Sequence, residues 1–299
     1  MKKKILLSGA TGYLGSRLLK AFINDYNIII TKRSFSNTRR IQSLLGRCKV
    51  YDTDRTPVEI LFKENPIDII LNTAGNYGRK NEPLAEIISS NLVFPVNLLD
   101  CAVKYNVKHF IHTDSVLRKD TNPYALSKAQ FSEWLKHLSE KVSILNIKLE
   151  HFYGPGDDSS KFIGYVIHQI LNKEKEIKLT FGEQKRDLIY IDDVVNFFEL
   201  ILKRINRYDN GFHEFHVGTG TSHGIREMVE YIKKISGSNI NLLFGEIPYR
   251  KHEIMDSKAN AVLLEKMGYR ISTDIFSGLK KTWEIETKQD VSQIEHEKP

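Results

Sequence analysis

Three glycines, each separated from the next by two residues, constrain the fold of this chain more than any other feature. The segment 9–15 (GATGYLG) follows the short apolar run Ile5-Leu6-Leu7 and precedes a stretch whose apolar residues repeat at helical spacing. Glycines let a backbone turn tightly and approach a pyrophosphate, which then lies at the N-terminus of the next helix. This strand–loop–helix context is typical of dinucleotide binding. The predicted cofactor-binding residues of the loop are Gly9, Thr11, Gly12, Tyr13, Leu14 and Gly15.

The first half of the chain continues to alternate short apolar runs with helical patterns, which is the rhythm of a parallel sheet covered on both faces. We therefore expect an α/β fold, a Rossmann-like doubly wound parallel sheet with a smaller C-terminal substrate-binding lobe. The predicted dinucleotide domain is residues 1–153, with returns to the sheet near 187–220, at Leu188–Ile191 and Glu214–Val217. Residues 154–186 and 221–288 would form the substrate lobe, and 289–299 a frayed polar tail.

Composition narrows the class of function. The chain has 299 residues and a formal net charge of +7, without a basic stripe interleaved with aromatics. This favours small anionic ligands over nucleic acid. Two cysteines, Cys48 and Cys101, are too few for a disulfide framework and lack the spacing of metal ligands. We expect no metal and no membrane contact, since no apolar run approaches about 18 residues. The cytoplasm is the expected compartment.

The end of the second predicted strand indicates which cofactor is used. An NAD-preferring site places Asp or Glu there to accept the ribose 2′-hydroxyl. This chain has Lys32 and Arg33 instead, and arginine can bind a phosphate with two hydrogen bonds. We therefore predict NADPH, the alternative being that both cations are ordinary surface charges. Asp52, after the third strand, is a candidate acceptor for the adenine amino group, although a surface position is nearly as plausible.

Tyr124 and Lys128 form the strongest catalytic signal. Residues at i and i+4 share a helix face, so the phenol and the ammonium would both face the cofactor. A phenol with its ordinary pKa near 10 is a poor proton relay at pH 7, and a neighbouring cation lowers that pKa. The alternative without a catalytic role is a core tyrosine that happens to lie one turn from a surface lysine. A hydroxyl should complete the set at the end of the fifth strand, where we favour Ser115 over Thr113.

At this point the chain resembles the extended short-chain dehydrogenase/reductases that process nucleotide sugars. Over nearly the whole chain, to about Met267, the resemblance rests on the features above and on the segments 153–156 (YGPG) and 186–193 (RDLIYIDD). Within that family it is most similar to the CDP-paratose and CDP-abequose synthases, through the segments 72–83 (NTAGNYGRKNEP), 149–157 (LEHFYGPGD), 113–115 (TDS), 217–220 (VGTG) and 250–255 (RKHEIM).

The resemblance implies further roles. Residues that line the cofactor or support the active site would be Asn72, Thr73, Ala74 and Asn91. Residues that contact the substrate would be Tyr77, Ser115, His151, Lys161, Arg186 and Arg250. For either arginine alone, a surface ion pair is the main structural alternative. The expected partner is a nucleotide sugar, with CDP favoured, and the expected assembly is a homodimer through the helices 90–105 and 123–139.

The implied activity is NADPH-dependent reduction of the C4 ketone of a nucleotide-activated 4-keto-(di)deoxyhexose, for surface polysaccharide (O-antigen) synthesis. Three alternatives stay open: a C4 epimerase, a 4,6-dehydratase and a non-catalytic NADP-sensing protein. The chain departs from the wider family at Lys148-Leu149-Glu150-His151, at Val116-Leu117-Arg118 and in the eight residues that separate Ser115 from Tyr124. These departures spare the proton chemistry and leave the exact sugar open.

Overall fold

The computed structural model describes residues 2–250 and 253–296, with side chains to residue 288. The chain divides into two compact units. The first comprises Met1–Leu149 and Val195–His216, and the second comprises Glu150–Val194 and Val217–Pro299. Each unit is therefore built from two separate stretches of the chain.

The first unit alternates strands and helices, as the hydrophobic pattern predicted. Its strands are β1 (Lys4–Ser8), β2 (Asn27–Lys32), β3 (Lys49–Asp52), β4 (Ile69–Asn72), β5 (His109–Ser115) and β6 (Ser143–Leu149). Its helices are α1 (Tyr13–Phe22), α2 (Val58–Glu64), α3 (Leu84–Ile88), α4 (Phe94–Lys104) and α5 (Pro123–Leu138). A 3₁₀ segment, Arg39–Arg47, precedes β3, and a π-helical turn, Ser89–Val93, joins α3 to α4.

Among the described residues, seven strands form the main sheet, in the order β11-β6-β5-β4-β1-β2-β3, where β11 is Gly211–Val217. The pairs from β3 to β6 are all parallel. The strand order reverses at β1, which pairs with both β2 and β4. Ligands of doubly wound sheets bind beyond the carboxyl ends of the strands at such a reversal. The predicted fold class is confirmed.

The core of the first unit lies between the sheet and its helices. Leu6, Ile70 and Phe110 from the strands pack with Leu98 of α4 and Phe131 of α5, and all five are fully buried. Strands buried on both faces are apolar throughout rather than alternating, which explains the continuous apolar runs of β1 and β4 in the sequence. Ser8, Asn72 and the segment Thr113–Ser115 place polar residues at the carboxyl ends of these strands, where the site is built.

One helix of the described residues, Leu84–Lys104, is long and apolar enough to cross a membrane by length and composition. It comprises α3, the π-helical turn and α4. It contains Glu86, Asp100 and Lys104, so it is not a continuous apolar run, and the expectation that no such run approaches about 18 residues is unchanged. Leu98, Leu99 and Ala102 of this helix are buried in the core of the first unit, which is the position of a core helix in a parallel α/β fold.

The second unit consists of short strand pairs and helices. Its strands are β7 (His151–Tyr153), β8 (Glu176–Leu179), β9 (Lys185–Arg186), β10 (Leu188–Tyr190), β12 (His223–Gly224), β13 (Asn241–Phe244) and β14 (Asp256–Ser257). Its helices are α6 (Phe162–Leu171), α8 (Ile225–Ser236), α9 (Val262–Lys266) and α10 (Ile275–His296), while α7 (Ile191–Lys203) begins here and continues into the first unit. The strand pairs are β7–β10, β8–β13 and β12–β9–β14.

Two predictions about the later part of the chain are wrong. The strand at Leu188–Tyr190 was expected to rejoin the main sheet, but it pairs with His151–Tyr153; the return at Glu214–Val217 does occur, within β11. Residues from 289 were expected to be frayed, yet α10 extends to His296. The last three residues of that predicted tail lie outside the described residues.

Candidate active site

Tyr124 and Lys128 lie one turn apart on α5. The helix begins after Asn122, whose side-chain oxygen accepts a hydrogen bond from the Ala125 amide at 2.8 Å, and Pro123 occupies the first turn. Both features are typical of a helix N-terminus. Tyr124 is 7% and Lys128 3% exposed. The Lys128 ammonium lies 5.9 Å from the centre of the Tyr124 ring and donates a hydrogen bond to the Thr113 carbonyl at 2.8 Å.

The two candidate hydroxyls at the end of β5 have different partners. The Thr113 hydroxyl donates to the carbonyl of Asn72 at 3.1 Å, which ties β5 to β4. The Ser115 side chain is close enough to Tyr124 to lower its pKa against the effect of burial, and the Ser115 hydroxyl accepts from the Leu117 amide at 3.2 Å. The Thr113 hydroxyl is therefore engaged with β4, whereas Ser115 lies beside Tyr124.

Burial controls the charges at this site. It raises the pKa of Tyr124 well above its ordinary value, opposite to the net direction that the sequence predicted. Burial also lowers the pKa of Lys128 from 10.5 to about 8, against the attraction of Asp114. Removal from water disfavours the charged form of each group. Tyr124 is therefore held protonated at neutral pH, ready to donate a proton.

The loop after β4 packs against Tyr124 and is held by Asn91, which is 1% exposed. The Asn91 side chain accepts from the Asn76 amide at 2.7 Å and donates to the Asn76 carbonyl at 2.9 Å and to the Ser127 hydroxyl at 3.1 Å. Asn91 lies in the π-helical turn between α3 and α4, and such turns are frequent at functional sites. Tyr77 follows on this loop, with its ring centre 4.6 Å from that of Tyr124.

The glycine loop connects β1 to α1 as predicted. Gly9 has φ +78°, and a Cβ there would lie 2.5 Å from the Ala74 amide nitrogen. A Cβ on Gly15 would lie 2.1 Å from the Gly9 carbonyl oxygen. Any larger side chain at either position would push the loop away from Thr73 and Ala74, so these two glycines permit the close packing of the loop on the end of β4.

The first turn of α1 suits an anion. Gly12 occupies the N-cap position, so no side chain caps the amides of the first turn. No acidic residue lies in that turn. The N-terminal amides of a helix attract phosphate groups. Thr11 lies in the loop, while Tyr13 and Leu14 are buried at 8% and 7% exposure. The first unit thus fits a pyrophosphate at this position.

The cations at the end of β2 lie beside carboxylates. Lys32 lies 3.4 Å from Asp52, and Arg33 lies 3.6 Å from Asp54 while stacking on the ring of Phe35 at 4.3 Å. Asp52 also accepts a hydrogen bond from the Ser34 hydroxyl at 2.8 Å, which lowers its pKa. Sequence reasoning took Asp52 as an adenine acceptor and missed its pairing with Lys32; parallel strand register places these two residues opposite each other.

The substrate candidates of the second unit are already engaged with acids of the same unit. Lys161 lies 3.0 Å from Asp157 and 4.0 Å from the ring centre of Phe152. The Arg186 guanidinium pairs with Glu253 and donates to the carbonyl of Ile254. A diphosphate bound by either cation would compete with these carboxylates.

The remaining two candidates, His151 and Arg250, have exposed side chains. His151 lies 3.8 Å from the carboxylate of the buried Glu150. The Arg250 carbonyl accepts a hydrogen bond from the Glu253 amide at 3.0 Å. Sequence reasoning missed Asp157 and Glu253, although each lies three or four residues from a basic candidate.

Two aspartates of the 186–193 motif have structural roles that sequence reasoning did not assign. Asp187, fully buried, accepts hydrogen bonds from the amides of Thr219, Gly220 and Ala259. Asp193 accepts from the amides of Ser272 and Thr273. Burying a carboxylate is costly unless hydrogen-bond donors surround it. These residues hold the second unit together.

Comparisons with known proteins agree with this geometry. The model of a family described as the NAD dependent epimerase/dehydratase family matches residues 5–218. The CDP-abequose synthase of Salmonella muenchen is 35% identical over 291 residues, which cover 94% of this chain and 97% of that protein. The CDP-abequose synthase of Salmonella typhimurium is 33% identical over 293 residues, with the same coverage. The structure of the UDP-glucose 4-epimerase of Thermotoga maritima superimposes with a TM-score of 0.83 at 22% identity, covering 96% of this chain and 99% of that one.

Proposed function

The chain belongs to the NAD dependent epimerase/dehydratase family, and from that premise we propose that it is an NADPH-dependent 4-ketoreductase of a CDP-linked 4-keto-(di)deoxyhexose. Family and relatives make it an oxidoreductase-type enzyme of nucleotide sugars with a nicotinamide cofactor. The direction of the reaction, the 2′-phosphate, the cytosine base and a role in O-antigen synthesis in the cytoplasm are our proposal.

The observation that carries the direction of the reaction is the burial of Tyr124, which is 7% exposed; burial favours the neutral, protonated phenol. A reductase needs a proton donor for the alkoxide that forms at C4, whereas an epimerase must first remove a proton from a C4 hydroxyl. Burial and the neighbouring Tyr77 and Asp114 all raise the pKa of Tyr124, so the phenol carries its proton when the ketone binds. Ser115, which lies beside the same phenol, would polarise the ketone.

Lys128 supplies positive charge near Tyr124. When bound, the cofactor supplies a hydride to the sugar. The Lys128 ammonium, held by the Thr113 carbonyl, would hydrogen-bond the nicotinamide ribose and favour the phenolate that Tyr124 becomes after donating its proton. Asn72, Thr73, Ala74 and Asn91 would support the cofactor from the adjoining loop and helix.

The preference for NADPH rests on Arg33. Its side chain is 45% exposed, and its nearest carboxylate, Asp54, is 3.6 Å away, so a 2′-phosphate at this position could recruit it with shorter bonds. Asp52 and Asp54 belong to the neighbouring strand and the turn after it. The alternative, in which Asp52 accepts the ribose hydroxyl of NAD, is tested by Arg33→Ala below.

The CDP sugar is carried over from the relatives. Both CDP-abequose synthases match along almost the whole of this chain, including the second unit. Lys161, Arg186 and Arg250 are the cations of that unit that we propose for the diphosphate, and His151 for the sugar. On binding, Lys161 would exchange its partner Asp157, or Arg186 its partner Glu253, for phosphate oxygens, which accept charged hydrogen bonds equally well.

The rival reactions require groups that differ at this site. A 4,6-dehydratase needs a carboxylate base where this chain has Ser115, and the neighbouring Asp114 already accepts hydrogen bonds from the Asn146 side chain at 3.0 Å and from the Ser115 amide at 2.8 Å. The C4 epimerase is the main alternative, because several solved epimerases share the fold; at 22% identity that likeness concerns the fold alone.

The decisive experiment follows a label. NADPH carrying deuterium at nicotinamide C4 is mixed with a panel of CDP-, dTDP-, GDP- and UDP-4-keto-6-deoxy and 3,6-dideoxy sugars. We expect one NADPH to be consumed for each sugar converted, deuterium at sugar C4, and the highest kcat/KM with the CDP sugars. Conversion of a 4-hydroxy sugar to its epimer without net loss of NADPH would instead identify an epimerase.

A homodimer is part of the proposal. The helices expected to form its seam expose Val93, next to α4, and Leu126 and Trp134 of α5, each more than 40% accessible. Apolar side chains of this size on adjacent helices are suited to a helical interface. Light scattering of the purified protein should give a mass near 69 kDa, twice the 34.5 kDa of one chain, and a monomer at micromolar concentration would contradict the seam.

A further inference from the structure

A second phenol, Tyr77, lies against the catalytic one. The two ring centres are 4.6 Å apart with an interplanar angle of 35°, and the neighbouring Tyr77 phenol contributes to the raised pKa of Tyr124. The resemblance assigns Tyr77 only a contact with substrate. Its ring also lies against the group that donates the proton.

The two phenols differ in their access to water. Tyr124 is 7% exposed, whereas Tyr77 is 42% exposed. An exposed phenolate is solvated by water and a buried one is not. A phenolate is therefore more stable at Tyr77 than at Tyr124. Once Tyr124 has given up its proton, transfer of a proton from Tyr77 to Tyr124 is favourable.

The position of Tyr77 is held from both sides along the loop. Asn91 binds both the amide and the carbonyl of the preceding residue, Asn76. The Asn76 side chain in turn accepts from the amide of the following residue, Gly78, at 2.9 Å. Arg79 lies over the Tyr77 ring, its guanidinium carbon 5.0 Å from the ring centre. The loop thus presents Tyr77 to Tyr124 in a defined geometry.

We propose that Tyr77 is a positioning residue that acts through Tyr124, orienting its hydroxyl and returning a proton to it after each turnover. This inference rests on the proposed ketone reduction. In the reaction, the Tyr124 O–H bond breaks as the C4 alkoxide becomes a hydroxyl. The Tyr77 O–H bond then breaks as the Tyr124 O–H bond forms again, and the Tyr77 phenolate takes a proton from water.

The other titratable groups around the two phenols are buried. Lys128 faces Tyr124 from the same helix and donates to the Thr113 carbonyl, while Ser115 and Asp114 face it from β5. Asp114 and Lys128 are 6% and 3% exposed. His112, also on β5, is fully buried, and burial keeps its pKa well below the ordinary value. Of the groups that contact Tyr124, Tyr77 is the most exposed titratable one in the described structure.

The first test removes only the hydroxyl. In Tyr77→Phe the ring still stacks, and Tyr124 begins each experiment protonated. We expect the rate of the first turnover, measured by stopped-flow with NADPH bound and a 4-keto CDP sugar added, to stay within about twofold of wild type. The steady-state kcat should fall on the order of 10²-fold, the low end of what positioned proton transfer contributes. KM should change little.

Two further variants complete the test. Tyr77→His restores a group that carries a proton, so kcat should recover and rise as pH falls through about 6.5, where imidazole becomes protonated. Tyr105→Phe removes a phenol hydroxyl that bonds to Glu59 on another helix and should leave kcat unchanged.

The outcomes separate this inference from the function on which it rests. A wild-type protein that oxidises no NADPH with any 4-keto sugar would overturn the proposed function and the relay with it. An active wild type whose Tyr77→Phe variant keeps its steady-state kcat would overturn the relay alone. So would a variant whose first turnover slows as much as its steady state, because Tyr77 would then serve the substrate directly.

Discussion

Replacing Lys128 with methionine should make the protein without ligands more stable at pH 7 while destroying its activity. Methionine has a similar length and no charge. Burial lowers the pKa of Lys128 from 10.5 to about 8, a difference that corresponds to about 3 kcal/mol of destabilisation of the charged form. Loss of the hydrogen bond to the Thr113 carbonyl costs about 1 kcal/mol, which leaves a net gain of about 2 kcal/mol.

The same reasoning fixes the pH dependence. Because the folded-state pKa of Lys128 is lower than its unfolded-state value, the unfolded chain binds more protons between pH 8 and 10.5, and this group makes wild-type stability rise with pH in that window. The advantage of Lys128→Met should therefore be full below pH 8 and shrink as pH rises. Near pH 10.5 the order should reverse, because only the lost hydrogen bond remains.

The assay is urea unfolding of both proteins at several pH values between 6 and 10.5, followed by circular dichroism. Lys136→Met is a matched control on the same helix: Lys136 is exposed and pairs with Glu133 at 2.9 Å, so its loss should change stability by less than about 1 kcal/mol. A Lys128→Met variant that is less stable than wild type at pH 7 would refute the reasoning, as would a difference that does not vary with pH.

Three shorter predictions follow from the site. Tyr124→Phe should lower kcat by about 10²–10⁴-fold and leave NADPH binding within twofold, measured by fluorescence titration; a fully active variant would eliminate the proposed mechanism. Arg33→Ala should weaken NADPH binding by about 1–3 kcal/mol and leave NADH binding unchanged, and equal dissociation constants in the unmutated protein would contradict the 2′-phosphate contact. Gly15→Ala should abolish binding of either cofactor, since its Cβ would lie 2.1 Å from the Gly9 carbonyl oxygen, whereas Gly46→Ala, with open space around its Cβ, should bind normally.

The dinucleotide-binding half of the molecule was predictable because its signals are local. The glycine loop, the apolar strands and the spacing of Tyr124 and Lys128 each follow from residues within one or two elements of each other. The choice of Ser115 over Thr113 also followed from counting along β5; the Thr113 hydroxyl is engaged with β4, whereas Ser115 lies beside Tyr124.

The features that sequence reasoning missed depend on distant residues or on burial. The pairing of Arg186 with Glu253 joins positions 67 residues apart, and no local sequence pattern predicts it. The strand at Leu188–Tyr190 is as apolar as a strand of the main sheet, so its pairing with β7 could not be read from its composition. The rise in the pKa of Tyr124 comes from its depth in the fold, which outweighs the cation that the sequence shows.

The order of strands in the main sheet has a consequence for how the protein is synthesised. A nascent chain that has emerged as far as Leu149 contains β1 to β6, but the outer edge of β6 is covered only when β11, ending at Val217, has been made. At about 5–20 residues per second, those 68 residues take roughly 3 to 14 s. During that interval an apolar strand edge is open to pairing with other chains, so chaperone demand and losses to aggregation during translation should concentrate in this window.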